Sequence, residues 1–352
     1  MFTLNKNKFN QLLSVFQKLV EAGDEPPAPW QAPEEVDGRP LFPRQNDSKT
    51  LEFLLLLGAL NYSYWQKEEG QVNTWGVETE NGEKIRDVFA LVYCIQRGRA
   101  AGDLELNAGY YCDMEKKDVE RLFAGATGAC ELPMLETRVK KINELGEGLQ
   151  RFGKEKECSP EFIKFCSRSS GLDQFLNKLT DYFPYSFGDP FQKLAQLLFK
   201  MIVDRRAENL PPETALKNTT AWQEATQFKG VEGLKAQPDY MLPLFCLKSG
   251  LWDIEQRAEK FFGEQIELPR EHWLEEKIRE LTVETVDQIA HRLSGDPGLN
   301  SGRVDSIMWR RAVQGCFPQE CEGCPFRDNC SARGEEQRRL DWHHHLTRTT
   351  YY

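Results

Sequence analysis

A mainly α-helical, two-lobed fold with at most a short β ribbon is predicted by three observations. Apolar residues recur at helical spacing along most of the chain beyond Thr50, and strand-like alternation is nearly absent. Stretches rich in Pro, Gly, Asp and Asn interrupt the helices near residues 209–220, a soft lobe boundary, and at Ser294–Gly302. The 352 residues are enough for two domains of roughly 150 residues each.

In chain order, Met1–Glu21 reads as a short helix. Residues 21–47 read as an extended arm, because Pro26, Pro27, Pro29, Pro33, Pro40 and Pro43 stand among acidic residues and withhold backbone donors. Glu80-Asn81-Gly82 can turn a short ribbon around Trp75–Asn81. The spacing of Val88, Val92 and Ile95 predicts a helix, as does that of Leu135, Val139, Ile142 and Leu149. Ser159-Pro160-Glu161 reads as a helix start, a capping hydroxyl followed by proline at the first helical position. Phe191, Leu194, Ala195, Leu198, Phe199 and Ile202 form the stripe of a half-buried helix, and Trp273, Ile278, Leu281, Ile289 and Leu293 form another. The chain divides accordingly into an N-terminal helix and Pro-rich arm over 1–47, a helical body over 48–302 and a C-terminal segment over 303–352.

Forty-five basic against fifty-five acidic residues leave a net charge of −10. That balance argues against holding nucleic acid through bulk positive charge. The longest apolar run, Leu54–Leu60, is far shorter than the roughly 20 residues of a membrane span. No secretory h-region follows Met1. A soluble, cytoplasmic chain without a membrane partner is expected, and there is neither a P-loop nor a GxGxxG turn to cradle phosphates.

Ten cysteines divide unevenly. Cys94, Cys112, Cys130, Cys158, Cys166 and Cys246 are scattered, whereas Cys316, Cys321, Cys324 and Cys330 fall within fifteen residues. The two-residue gap between Cys321 and Cys324 lets one loop turn both thiolates towards a metal. Pro318, Gly323 and Pro325 favour a tight loop, and Arg310, Arg311, Arg327 and Arg333 would offset the charge of a thiolate-ligated centre. The pattern points to a structural 4Fe–4S cluster, with zinc as the alternative and a metal-free loop as the third reading. One loop holding four cysteines is similar to that of the endonuclease III and MutY-like DNA glycosylases, whose first gap is longer.

Short blocks in one order carry a further resemblance: Leu60-Asn61-Tyr62-Ser63-Tyr64-Trp65, Ala90-Leu91…Gln96-Arg97-Gly98, Pro133-Met134-Leu135-Glu136-Thr137-Arg138, Phe187-Gly188-Asp189, Lys193-Leu194-Ala195-Gln196, Gln237-Pro238-Asp239-Tyr240-Met241-Leu242-Pro243 and Lys277-Ile278-Arg279. Asn300, Asp305, Trp309 and the closing Arg348-Thr349-Thr350-Tyr351-Tyr352 extend the series. In these blocks the chain resembles the queuosine-salvage proteins, the queuosine 5′-phosphate N-glycosylases. The resemblance implies a helical fold related to helix-hairpin-helix DNA glycosylases and an N-glycosidase that releases a 7-deazaguanine-like base from a nucleoside or its 5′-phosphate. It does not supply the cysteine loop. Three positions depart from the family pattern: Leu194 and Met241 stand where the family has arginines, and Met201 stands where it has an aspartate, with Asp204 one helical turn on.

Cleaving an N-glycosidic bond passes through an oxocarbenium-like sugar, which calls for a carboxylate near C1′ and a group that assists the departing base. Asp239 is the expected catalytic carboxylate, with an N-cap for the helix beginning at Tyr240 as the structural alternative. Asn61, Ser63 and Trp65 offer an amide, a hydroxyl and an indole for reading and stacking a base, against a core role for the aromatics. Asp189 suits a sugar hydroxyl or a helix cap. Lys193, Tyr240 and Arg279 complete the expected substrate-binding set, the alternatives being a solvated helix face for Lys193 and a buried acid partner for Arg279. The expected partner is a small nucleoside or nucleotide. A base-excision glycosylase acting on nucleic acid and a non-catalytic nucleoside-binding protein are the rival readings, the first favoured by the cysteine loop and opposed by the net charge.

Overall fold

The computed structural model describes every residue except 1, 23–27, 32–34, 69–70, 126–127, 211–215, 270–271, 294 and 296–298. Pro26, Pro27 and Pro33 of the expected arm, residues 211–214 of the first helix break and 296–298 of the second lie outside the described residues. The fold is mainly α, as the periodicity predicts. Extended pairing goes beyond the single ribbon expected: among the described residues there are six two-stranded sheets, built from strands of two to four residues. The predicted ribbon forms between Gly76–Glu78 and Lys84–Arg86, with Gly82 at φ +80° in its turn. The unforeseen hairpin pairs Trp65–Glu68 with Gln71–Thr74. Apart from Trp65 and Val72 its strand residues are polar, which leaves no alternation to detect. No helix among the described residues is long and apolar enough to cross a membrane.

The chain forms two compact units, Pro27–Val231 with Tyr351, and Met1–Pro26 with Glu232–Thr350 and Tyr352. At the centre of the first lies the helix Ser48–Leu60, started by Asp47, whose side chain accepts the Thr50 N–H at 2.9 Å. Every residue from Thr50 to Leu60 is buried, as a helix without a polar face requires. It packs against the helices Lys193–Asp204, Phe162–Ser167 and Leu135–Glu155. Gly58 sets the closest approach, since a Cβ there would stand 3.2 Å from the Leu198 Cβ.

The same buried helix carries Glu52, whose Oε1 accepts the Phe162 N–H at 2.7 Å. That bond moves the expected helix start. The helix begins at Phe162 rather than at Pro160, because its first N–H is taken by Glu52 and the Ser159 hydroxyl donates to the Glu161 carboxylate at 2.6 Å instead of capping. Burial pushes the Glu52 carboxyl up to about 8, against the opposing pull of the Phe162 N–H and Lys49. The folded protein therefore binds a proton that the unfolded chain has released between its ordinary value of 4.5 and about 8. Stability from this group is present at low pH and lost as pH rises through that window, by at most about 1.4 kcal/mol per pH unit. Urea unfolding of Glu52→Gln, whose amide carbonyl still accepts from Phe162, is expected to show an advantage over the parent that grows from about pH 5 to about pH 8. A constant difference would assign Glu52 no proton in the fold.

In the second unit, the strand Phe2–Leu4 pairs antiparallel with Trp252–Ile254 and precedes the helix Lys6–Ala22, so the expected first helix starts later than Met1. Phe9, Leu12 and Phe16 join one core with Leu242 and Phe245 of the helix Met241–Ser249, with Ile278 and Ile289 of Trp273–Arg292, and with Val304 and Met308 of Ser301–Arg311. Asn300 caps the last of these by accepting the Arg303 N–H at 3.0 Å.

Candidate functional site

In the unit Pro27–Val231, the segment after the central helix is held by one side chain. Arg138, fully buried on Leu135–Glu155, donates to the backbone carbonyls of Leu60 at 2.5 Å, Tyr62 at 2.6 Å, Ser63 at 3.1 Å and Pro133 at 3.0 Å. Its guanidinium lies 4.2 Å from the Tyr62 ring centroid, and the Lys141 ammonium lies 4.3 Å from the same ring. Within this clamp Ser63 sits at φ +43°, in the left-handed region that a residue with a Cβ seldom occupies. The buried Ser63 Oγ and Tyr62 hydroxyl have no hydrogen-bond partner among the described residues. Backbone strain of this kind clusters at functional sites, and a buried hydroxyl without a partner is uncommon in a folded protein.

Asn61, Asp189 and Lys193 are brought together beside this segment. The Lys193 ammonium donates to the Asn61 carbonyl at 3.5 Å, while the Lys193 N–H reaches Asp189 Oδ2 at 2.9 Å and the Phe191 N–H reaches Oδ1 at 3.2 Å. Asp189 thus acts as a cap for the helix Lys193–Asp204. Lys193 is buried, which corrects the solvated-face alternative. The residue before it, Gln192, takes a left-handed φ of +53°. The Asn61 amide oxygen accepts from the Tyr64 hydroxyl at 2.9 Å, and Tyr64 stacks on Trp75. Trp65 is buried at the start of its strand. Asp204, the displaced carboxylate, is occupied by Lys200 at 2.6 Å and the Trp30 indole at 3.0 Å, and Met201 is buried.

Sequence reasoning overlooked Lys141. It is fully buried, donates to the Ser186 carbonyl at 3.2 Å, and has its ammonium pushed well down by burial, with Arg138 and Lys193 pushing the same way and Glu144 and Asp189 opposing. Its place on the inner side of an amphipathic helix, beside Ile142, is the signal that could have found it.

In the other unit, Asp239 is nearly buried and its Oδ1 accepts the N–H groups of Met241 at 2.8 Å and Leu242 at 3.3 Å. The cap expected as an alternative is therefore present, with the helix starting at Met241 and Tyr240 in the cap position. The preceding segment is fixed by Asp305, whose Oδ2 accepts the Gln237 N–H at 2.7 Å. The Tyr240 ring lies 4.4 Å from that of His344, tilted by 33°, and Phe317 stacks on His344 at 6.1 Å. Arg279, almost fully buried, lies 3.7 Å from Glu275 on its own helix and 5.0 Å from the Tyr352 ring. The Tyr352 hydroxyl meets His345 Nε2 at 2.8 Å. Burial holds His344 down at about 4 and His345 at about 3, so both rings are neutral.

The cysteine loop belongs to this unit. A π-helical turn, Ala312–Cys316, extends the helix Ser301–Arg311, and short 3-10 turns at Arg327–Asn329 and Ser331–Arg333 frame Cys330. Phe326 anchors the loop in the core, 4.8 Å from Phe16 and 5.1 Å from Phe245. Cys316 and Cys324 pack against that core as well. Burial pushes the Cys316 thiol well up, and the neighbouring thiols of Cys330, Cys324 and Cys321 add to it while Lys248 opposes. Of the flanking arginines, Arg311 acts on Cys324 and Arg333 on Cys321. Lys248 was not foreseen. Among the described residues, no three His, Cys, Asp or Glu side chains converge in an arrangement ready for a single metal ion.

A family model described as queuosine salvage protein matches residues 41–352. A queuosine 5′-phosphate N-glycosylase/hydrolase of Mus musculus is 27% identical over 315 residues, covering 86% of this chain and 88% of that protein. The protein of the same name from Bos taurus is 22% identical over 311 residues, covering 84% of each. That of Nematostella vectensis matches over 106 residues at 27% identity, covering 30% of this chain and 29% of that protein.

Proposed function

The chain belongs to the queuosine salvage protein family, and from that premise we propose that this hydrolase cleaves the N-glycosidic bond of a queuosine-type nucleoside or its 5′-phosphate and releases the free 7-deazaguanine-like base. Water adds its oxygen to C1′, the bond from C1′ to the base nitrogen breaks, and the remaining proton ends on the base. The observation that carries this reading is Asp239, a nearly buried carboxylate whose Oδ1 is fixed by two backbone N–H groups. A carboxylate so held is preorganised for the positive charge that develops on the sugar, and needs no reorganisation as the bond breaks.

We assign recognition to the segment Asn61–Trp65 and its neighbours Asp189 and Lys193. The free Ser63 hydroxyl supplies a buried polar group with bonding capacity in hand, and Lys193 brings a cation to a chain that lacks the family arginines at Leu194 and Met241. Tyr240 supplies an aromatic face next to Asp239. Arg279 serves chiefly to fix Tyr352.

The test incubates the protein with queuosine, queuosine 5′-phosphate and an oligonucleotide carrying the same nucleoside, and follows free base by mass spectrometry. Release from the monomers and not from the oligonucleotide is expected. Release from the oligonucleotide alone would make the enzyme a base-excision glycosylase, and release from none of the three would leave a binding protein. The ratio of kcat/KM for the two monomers reports whether the 5′-phosphate is recognised.

A further inference from the structure

We propose that the loop from Cys316 to Cys330 holds an iron–sulfur cluster through the thiolates of Cys316, Cys321, Cys324 and Cys330, a site that neither the family match nor the names of the relatives assign. The grouping is tertiary as well as sequential. The Cys316 thiol lies within electrostatic reach of all three others, whereas Cys94 and Cys166 are buried in the other unit. The loop is also fixed before any ligand arrives. Phe326 seats its middle between Phe16 and Phe245, and Cys330 Sγ donates to the Lys248 carbonyl at 3.2 Å.

An independent observation is the charge of Lys248. This lysine is only 3% exposed, and its ammonium donates to two neutral acceptors, the carbonyls of Cys316 at 2.7 Å and Leu340 at 2.8 Å. An ammonium taken out of water needs a compensating anion. Asp341 contributes part of it; four thiolates around a metal–sulfide core supply more at that place, where Lys248 acts on Cys316, Cys321 and Cys330 as well. Arg333 at Cys321 and Arg311 at Cys324 extend the cationic surround.

Iron–sulfur suits the arrangement better than zinc. Zinc draws its sulfurs to about 2.3 Å from a single point, and no such convergence exists among the described side chains. A cluster presents a separate iron to each thiolate and so spreads its ligands over a wider frame. On binding, each thiol gives its proton to solvent and forms one iron–sulfur bond.

The full-length protein is purified without oxygen and, where underloaded, reconstituted with iron and sulfide. Iron and acid-labile sulfide are then assayed, and the visible and electron paramagnetic resonance spectra recorded before and after dithionite. About four irons and about four sulfides per chain are expected, with broad visible absorption. The Cys321→Ser/Cys324→Ser double variant is expected to lose at least about half of the iron, whereas Cys130→Ser keeps it all. Should the double variant be insoluble, X-ray absorption at the iron edge of the parent decides: sulfur ligands with iron–iron scattering support the cluster. About one zinc per chain without sulfide, or no metal after reconstitution, overturns the proposal. None of these readouts depends on which nucleoside the enzyme cleaves.

Discussion

Asp239→Asn is expected to lower kcat by about 10²–10⁴-fold while leaving the fold intact. The prediction separates the capping that Asp239 performs from the catalytic role proposed for it. As a cap, Asp239 needs only an oxygen to accept the N–H groups of Met241 and Leu242, and asparagine is as good a cap as aspartate. The unfolding free energy of Asp239→Asn should therefore stay within about 1 kcal/mol of the parent. As the group facing a developing oxocarbenium ion, Asp239 needs its negative charge, which asparagine lacks. Asp239→Ala removes both and should lose activity and about 1 kcal/mol or more of stability. Single-turnover rates of base release, measured beside urea unfolding, distinguish the cases. An asparagine variant with undiminished kcat would reduce Asp239 to a cap and move the chemistry elsewhere.

Arg138→Met should destabilise the unit Pro27–Val231 by about 3–5 kcal/mol. The four carbonyls that Arg138 satisfies belong to Leu60, Tyr62, Ser63 and Pro133, and two of the residues beside them are strained or unsatisfied already. Removing the guanidinium takes this donor from the carbonyls of Tyr62, Ser63 and Pro133, while Leu60 keeps the Tyr62 N–H at 2.9 Å, and leaves a Tyr62 ring with the Lys141 cation on its face. Arg138→Lys should recover only a minor part, because an ammonium cannot span several carbonyls in the fixed fork that a guanidinium presents. If the lysine variant unfolds at the parental urea concentration, the clamp is a charge effect and not a geometric one. KM for the nucleoside is expected to rise in both variants, since the segment that Arg138 holds is the one assigned to recognition.

Much of the architecture was legible in the sequence because burial of a helix face leaves a period. The stripes at Val88–Ile95, Leu135–Leu149 and Ile278–Ile289 all became helices. Boundaries were less legible, since they depend on who satisfies the terminal N–H groups. At Phe162 that partner is Glu52, a hundred residues away in the chain, and no local signal reports it. The hairpin Trp65–Thr74 escaped detection because Trp65 and Val72 are the only apolar residues of its two strands, too few to set up an alternation. Lys193 looked like a surface lysine on its helical wheel; its burial beside Asn61 and Asp189 depends on contacts distant in the chain.

The sequence by itself determined the helical class, the family, the acidic charge and the identity of the chemical groups, among them Asp239, the Asn61–Trp65 block and the four clustered cysteines. These are properties of composition, periodicity and order, which survive without any fold. The tertiary structure decided what each group is bonded to. It made Asp239 a fixed acceptor, engaged Asp204 with Lys200 and Trp30, left Ser63 Oγ unsatisfied, buried Lys141 beside Tyr62 and placed Lys248 against the thiols. The physical reason is that hydrogen bonding and desolvation depend on neighbours in space. Residues far apart in the chain meet only once the core has formed.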